Sequence, residues 1–423
     1  MSITAAPASA ISTILADSKA RGALRGFLLT GVLTGILGSL MVAWRYQLDK
    51  DPRVVGLHFL AFNSAVLVSA AVTQLLLQRF SIQRFCLSAC VVACLGFGEL
   101  AFAAPPRHSS LRILGVTMLG AAAGILLTAL LHFVRPYYDE HAASTINSCG
   151  LMFGLGSLIV TLIVGGTYYL YSVQVETVVL ALIPLAMFLS LLRQESLAAV
   201  VSPTDDRNRL RSSLRDLRSI AAILFSLLLF FQFGNEWALA GWLPLFLIHR
   251  LGFSPESAIF VLALYFGALI GGRLIAQVIL ARVSHAKLLF ASIVAAMLGY
   301  LVLSLTSTLL GASLATLVTG LAFAPIHALV AEKIGRRFDY EPGFFNSIFS
   351  LAVTGGMLVP WLLGFVAYYL GMQYVLIVPA FCSIAVLIVM LLIMLEAKLM
   401  KGDGVPPTTP HRSGVSVSTA AGG

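Results

Sequence analysis

Gln74-Leu75-Leu76-Leu77-Gln78-Arg79-Phe80-Ser81 and Gln277-Val278-Ile279-Leu280-Ala281-Arg282-Val283-Ser284 share the pattern Gln-x4-Arg-x-Ser, 203 residues apart. Each closes a run of apolar residues, near 55–78 and 256–280, of the length that crosses ~30 Å of hydrocarbon. A second correspondence lies at nearly the same spacing. Asn147, Ser148, Gly156 and Gly165 are matched 199 residues later by Asn346, Ser347, Gly355 and Gly364. Two matches at nearly one offset divide the chain into equivalent halves. Parallel repeats of this kind, related by an axis along the membrane normal, place a solute path between two six-helix bundles. Glycines at matched positions would let neighbouring helix backbones approach, because small residues dominate helix contacts in lipid.

Working outward, further apolar runs fall near 23–43, 83–104, 111–134, 143–168 and 170–193 in the first half, and near 218–248, 286–307, 309–331, 343–370 and 372–397 in the second. They are too long and too uniform for barrel strands, which alternate polar and apolar over about ten residues. The expected fold is therefore an all-α membrane protein of twelve transmembrane helices in two pseudo-symmetric six-helix bundles, 21–193 and 218–398. A tail of residues 1–20, a linker of 194–217 and a polar, disordered tail of 399–423 complete the domain plan. Composition agrees: 59% of the 423 residues are hydrophobic and 11% charged, too little charge to cover a water-soluble surface. With both termini cytoplasmic, twenty of the 27 Lys and Arg lie in inner loops and tails. Six lie outside, and Arg273 lies within a run. This positive-inside bias suits an even number of spans and a bacterial inner membrane, and it accounts for the net charge of +9.

The basic residues never form one stripe with interleaved aromatics, so nucleic acid is not an expected partner. The linker clusters Arg207, Arg209, Arg211, Arg215 and Arg218; it reads as a solvated basic face, with nucleotide or lipid regulation as the alternative. The N-terminus lacks the order of a cleavable signal peptide, so the first run is expected to act as an anchor. Cys86, Cys90 and Cys94 recur every four residues, but without His or acidic partners they read as apolar packing and not as a metal or redox site. No metal or cofactor is expected, and the chain is expected to be a monomer.

An ionisable group inside a span is costly unless paired or wetted, which makes each one a functional candidate. Glu236 lies about mid-membrane in the seventh run, where it would bind a proton, a cation or a solute hydroxyl, or else tie helices together. Arg273 in the eighth run is its candidate partner; it would otherwise snorkel to the inner face or hold an anionic solute. Gln232, Asn235, Asn63, Asn147 and Asn346 supply amides suited to a hydroxyl-rich ligand or to helix–helix bonds, with Asn235 favoured for ligand contact. His132 and His327 are candidates for proton relay or solute bonding, against a structural role. Trp44, Trp237, Trp242 and Trp361 read mostly as an interfacial belt, with Trp237 the best ring for stacking a solute. Arg79 and Arg282 would stand at the cytoplasmic mouth of each half.

With these features in hand, the chain resembles the major facilitator superfamily. That family carries Gly-x3-Asp-Arg-x-Gly-Arg-Arg after its second helix. Here Gln74, Gln78, Arg79, Phe80, Ser81, Ile82 and Gln83 occupy those places, and one basic residue stays in register. Phe233-Gly234-Asn235-Glu236-Trp237 followed by Gly241-Trp242-Leu243-Pro244 is similar to the seventh helix of the fucose–proton symporter branch. The resemblance implies alternating-access transport of a small polar solute, sugar-like by preference, with protons as a candidate coupling ion. The acidic residues that branch carries in its first and fourth helices are absent here; the fourth offers His132. An exporter of amphipathic compounds and a non-transporting sensor on the same fold are the alternatives. No His-Glu-x-x-His, nucleotide loop or Gly-x-Ser-x-Gly elbow marks an enzyme.

Overall fold

The computed structural model describes residues 18–48, 51–105, 109–193, 219–279, 283–338 and 342–402. Twelve helices among them are long and apolar enough to cross a membrane. The first six are α1 (Gly22–Ala43), α2 (Pro52–Leu76), α3 (Ile82–Phe102), α4 (Ser109–Val134), α5 (Ile146–Thr167) and α6 (Val173–Arg193). The last six are α7 (Ile220–Leu251), α8 (Pro255–Ala276), α9 (His285–Leu305), α10 (Leu309–Gly335), α11 (Ser350–Tyr369) and α12 (Met372–Lys398). The linker 194–217 and most of both tails lie outside the described residues. Leu75, Leu305 and Leu310 are among many large apolar side chains left exposed, which suits a surface solvated by lipid tails.

The apolar runs predict these spans closely, with two differences in the connections. A break was expected after residue 134, yet the backbone stays helical from Ser109 through Thr167. In α10 the helix stops at Phe323 and resumes at Ile326. Pro325 sits in that gap; it has no N–H to donate and its ring clashes with the preceding turn.

The matched glycines make matched contacts. A Cβ on Gly156 would stand 2.0 Å from the Leu28 carbonyl oxygen, so α5 lies backbone-to-backbone on α1. One on Gly355 would stand 1.9 Å from the Phe230 carbonyl oxygen, and α11 lies on α7 in the same way. Gly165 meets Ile259 of α8, and Gly364 meets Pro52 and Arg53 at the start of α2. The first pair of glycines therefore packs each bundle internally. The second pair packs the seams between bundles, α5 on α8 and α11 on α2. Small residues do this because apolar helices in lipid associate through close van der Waals contact and not through expulsion of water.

We call the side holding Arg193 and Ser219 the linker face and the opposite side the far face. At the far face α1 and α7 meet backbone to backbone. A Cβ on Gly38 of α1 would fall 2.1 Å from the Ala240 carbonyl oxygen of α7. Trp44 and Trp242 are fully enclosed, so neither belongs to the interfacial belt expected for them. Phe59 stacks on Trp242 at 6.4 Å, and Trp242 Nε1 donates to the Pro360 carbonyl at 3.1 Å. Arg112 donates to the Tyr46 hydroxyl at 3.2 Å. Burial raises the Tyr46 pKa above its ordinary value, with Arg112 acting in opposition. At the edge of this seal the Arg53 guanidinium lies 3.9 Å over the Tyr368 ring, bridging α2 and α11.

Candidate functional site

Below the far-face seal lies a cavity of about 230 Å³ between the two bundles. It extends toward the linker face as far as Phe27, Val134 and Ile146, at the linker-side ends of α1, α4 and α5. Six of the site residues expected from sequence border it: Glu236, Trp237, Arg273, His132, His327 and Asn147.

Helix geometry sorts the α7 candidates. Successive residues turn through about 100°, so neighbours in sequence point to different sides. Phe233, Glu236, Trp237 and Ala240 fall on the cavity face. Asn235 falls on another face: it is fully buried, and its amide meets Ser383 of α12 at 3.1 Å. The amide orientation that also donates to the Pro379 carbonyl at 2.7 Å satisfies the site better. Asn235 is thus a helix-to-helix tie, contrary to the ligand contact favoured for it. Gln232 is buried one turn below Glu236 and donates to its Oε1 at 2.9 Å, so its amide orients the carboxylate.

The partner of Glu236 is His327 and not Arg273. His327 Nδ1 lies 3.1 Å from Glu236 Oε1, with both side chains largely buried. The break at Pro325 sets the ring there, and Phe233 packs on it at 4.6 Å. Arg273 comes from α8 and crosses to α5, where it donates through Nη1 to the Gly150 carbonyl. Its guanidinium lies flat on that glycine: a Cβ at Gly150 would stand 3.0 Å from Arg273 Cζ. Asn147 Nδ2 donates to the Arg273 carbonyl at 3.0 Å, so two ties hold α8 on α5 here. Arg273 makes no direct bond to Glu236 among the described residues, although both line the cavity.

His132 Nε2 lies 2.8 Å from Gln74 Oε1, which gives the first residue of the repeated Gln-x4-Arg-x-Ser pattern a definite task. Trp237 packs on Phe62 at 5.4 Å and against Gly356, so one side of its ring is committed to α2 and α11. Arg79 is exposed at the linker face. Arg282 and the side chain of Asn346 lie outside the described residues.

Sequence reasoning passed over Tyr265, Thr34, Ser157 and the apolar wall of Phe27, Phe153 and Phe266. Tyr265 was within reach of it. Tyr265, Leu269 and Arg273 are spaced by four, which sets all three on one helix face, and all three line the cavity. The Tyr265 hydroxyl is buried with no hydrogen-bond partner among the described residues.

Twelve spans in two packed halves around a central cavity with a buried charge cluster define a membrane transporter. Residues 23–354 match the Major Facilitator Superfamily, and the chain belongs to that superfamily. Its fold is similar to the Escherichia coli fucose:proton symporter FucP, with a TM-score of 0.65 at 16% identity over 91% of this chain and 99% of that one. FucP in the outward conformation gives 0.64 at 18% identity, covering 88% and 98%. The nucleoside transporter NupG gives 0.67 at 14% identity, covering 89% and 98%. The comparison with curated proteins returned no match. The protein is accordingly a multi-pass integral membrane transporter of a small solute and not an enzyme.

Proposed function

We propose that this transporter couples the movement of a small polar solute to protons through the Glu236–His327 pair. The observation that carries the reading is that pair itself, at 3.1 Å in the cavity wall. Two groups that share a proton inside a low-dielectric site change the cavity's charge by one when the proton leaves, and a carrier can use that change to tie solute affinity to proton binding. The bundles 21–193 and 218–398 would rock about the cavity, with the linker face cytoplasmic as the Lys and Arg distribution implies. The present closure at the far face and the extension of the cavity toward the linker face support an inward-facing state. A monomer suffices, because each of the two halves supplies one wall.

A ring-bearing, hydroxylated solute suits walls that are mostly apolar, with several aromatic rings and a few polar groups; sugars and nucleosides, named for the structural neighbours, are the first candidates. Export of amphipathic compounds is the second reading, favoured by the Phe27, Phe153, Phe233 and Phe266 lining. The cavity volume weighs against it, being below the ~300–1,000 Å³ usual for drug-sized ligands.

The test is uptake of labelled sugars, sugar acids and nucleosides into proteoliposomes, with and without an inward proton gradient. Wild type should accumulate at least one of them under the gradient. Glu236→Gln should lose accumulation while keeping downhill exchange. Flux that ignores the gradient would remove the proton from the mechanism.

A further inference from the structure

Glu236 and His327 compensate each other, whereas Arg273 has no anion of its own among the described residues. Among the described residues its guanidinium makes one hydrogen bond, to a neutral backbone carbonyl, and has no carboxylate within ion-pair distance. Glu236, the acidic residue on the same cavity wall, is already held by His327 and Gln232. With one proton on the Glu236–His327 pair, whichever partner carries it, the pair is neutral and Arg273 leaves the cavity with one net positive charge. An uncompensated charge in a membrane interior is costly, and the cost is relieved by a ligand of opposite sign.

Among the described residues nothing else around the cluster supplies that charge. The other titratable groups lining the cavity are Tyr265 on α8, His132 on α4 and Cys149 on α5, with Tyr300 on α9 and Cys382 on α12 behind α7. All of these are neutral or cationic in their ordinary states near neutral pH. Tyr265, two turns from Arg273 on the same helix face, also leaves a buried hydroxyl unmatched, and such a donor is normally satisfied in a folded protein. A guanidinium with N–H groups to spare fits a carboxylate, and a phenol two turns along the same helix face offers a donor to a second polar group of the same solute.

We propose that the transported solute is a small organic anion whose carboxylate is recognised by Arg273, with Tyr265 as a donor elsewhere on the same solute. The proposal rests on the transport reading above and names its substrate class. It also supplies a reason for coupling. Loss of the shared proton turns the Glu236–His327 pair negative and cancels the Arg273 charge, so the anion binds best when the pair is protonated and the two travel together. Gly150 and Gly154 on α5 leave the space in which the guanidinium lies, so the anion site sits on the α5–α8 seam that must open and close during transport.

The test uses the purified full chain and matched probes: glucuronate against glucose, and benzoate against benzamide. Binding is read by calorimetry and by thermal shift at two pH values, and flux is read in proteoliposomes. At least one acid should bind, more tightly at the lower pH and with proton uptake, while its neutral twin does not. Arg273→Gln should weaken that acid about 10- to 100-fold, Arg273→Lys should retain part of the affinity, and Tyr265→Phe should cost about 3- to 10-fold. The lysine and phenylalanine variants keep the experiment decisive where the glutamine variant fails to fold. Neutral probes that bind or move while the acids are ignored would overturn this inference and leave the transport reading standing. Acid binding unchanged in Arg273→Gln would do the same. A wild-type protein that binds and moves none of the four probes overturns the inference, and the same silence across the wider solute panel overturns the transport reading with it.

Discussion

The two walls of the cavity come from two copies of one packing scheme, yet they differ in chemistry. The second half presents Glu236, His327, Arg273 and Tyr265. The first half presents Phe27, Thr34, Leu127, Leu131, Phe153 and Ser157, with His132 and Asn147 as its more polar members. The carbonyls of Leu28 and Phe230, which receive the matched glycines, fix the correspondence between α1 and α7. By that register Thr34 stands where the second half has Glu236. Thr34 bonds back to the Thr30 carbonyl of its own helix at 2.9 Å and brings no charge. The comparison teaches that the repeat preserves backbone contact and leaves the side chains facing the solute free to diverge. Packing within and between bundles constrains both halves alike, whereas a second buried charge cluster would add desolvation cost.

The largest expected effect tests the shared part. Gly156→Val and Gly355→Val each drive a side chain into a facing backbone carbonyl, an overlap that costs about 3 kcal/mol or more. Both should lose monodisperse folded protein to a similar degree on size-exclusion chromatography. A variant pair in which one folds normally would break the equivalence of the halves.

Next comes the divergent part. Glu236→Gln should bring gradient-driven accumulation to background. Thr34→Val, at the corresponding place in the first half, should change it by less than about threefold, since the hydroxyl it removes is committed to its own helix. Equal losses from the two would show that the first wall also takes part in coupling.

A smaller effect is expected at the far-face seal. Trp242→Phe keeps the ring against Phe59 but leaves the Pro360 carbonyl without its donor, at a cost of about 1 kcal/mol. Thermal melting should fall by a few degrees, and cysteines introduced beside Trp44 should label faster from the far side. Unchanged labelling would mean that this hydrogen bond does not hold the seal.

The smallest effect lies at the edge of that seal. The Arg53 guanidinium holds the Asp51 carboxyl below its ordinary value, with burial opposing. A depressed carboxylate stabilises the fold above the unfolded aspartate value of about 3.9 and loses that contribution as pH falls through the folded value. Both side chains are more than a third exposed, so screening leaves little of it. Asp51→Asn should therefore leave stability near neutral pH almost unaltered and flatten its decline slightly below about pH 4 in melting experiments.

Much of the fold was legible because its signals are local. Twenty-residue apolar runs mark spans wherever they occur, and paired asparagines and glycines at one offset mark the repeat. The site was legible in its charged members, since an ionisable residue inside an apolar run stands out whatever surrounds it. Tyr265 did not stand out, because a tyrosine in a span is unremarkable until its hydroxyl is seen to lack a partner. Asn235 looked like a ligand contact because it adjoins Glu236 in the chain, but a turn of about 100° carries it to α12.

By itself, then, the sequence determined the number of spans, the division into halves and the presence of Glu236 and Arg273 within the membrane. Only the tertiary structure decided that Glu236 pairs with His327, that Arg273 has no carboxylate beside it among the described residues, and that Trp44 and Trp242 seal the far face instead of meeting lipid. The physical reason is distance along the chain. Composition and periodicity act over a few turns, but a partner on another helix is chosen by how closely the backbones approach and how each helix is rotated. Those are set by glycine contacts that join residues far apart in sequence.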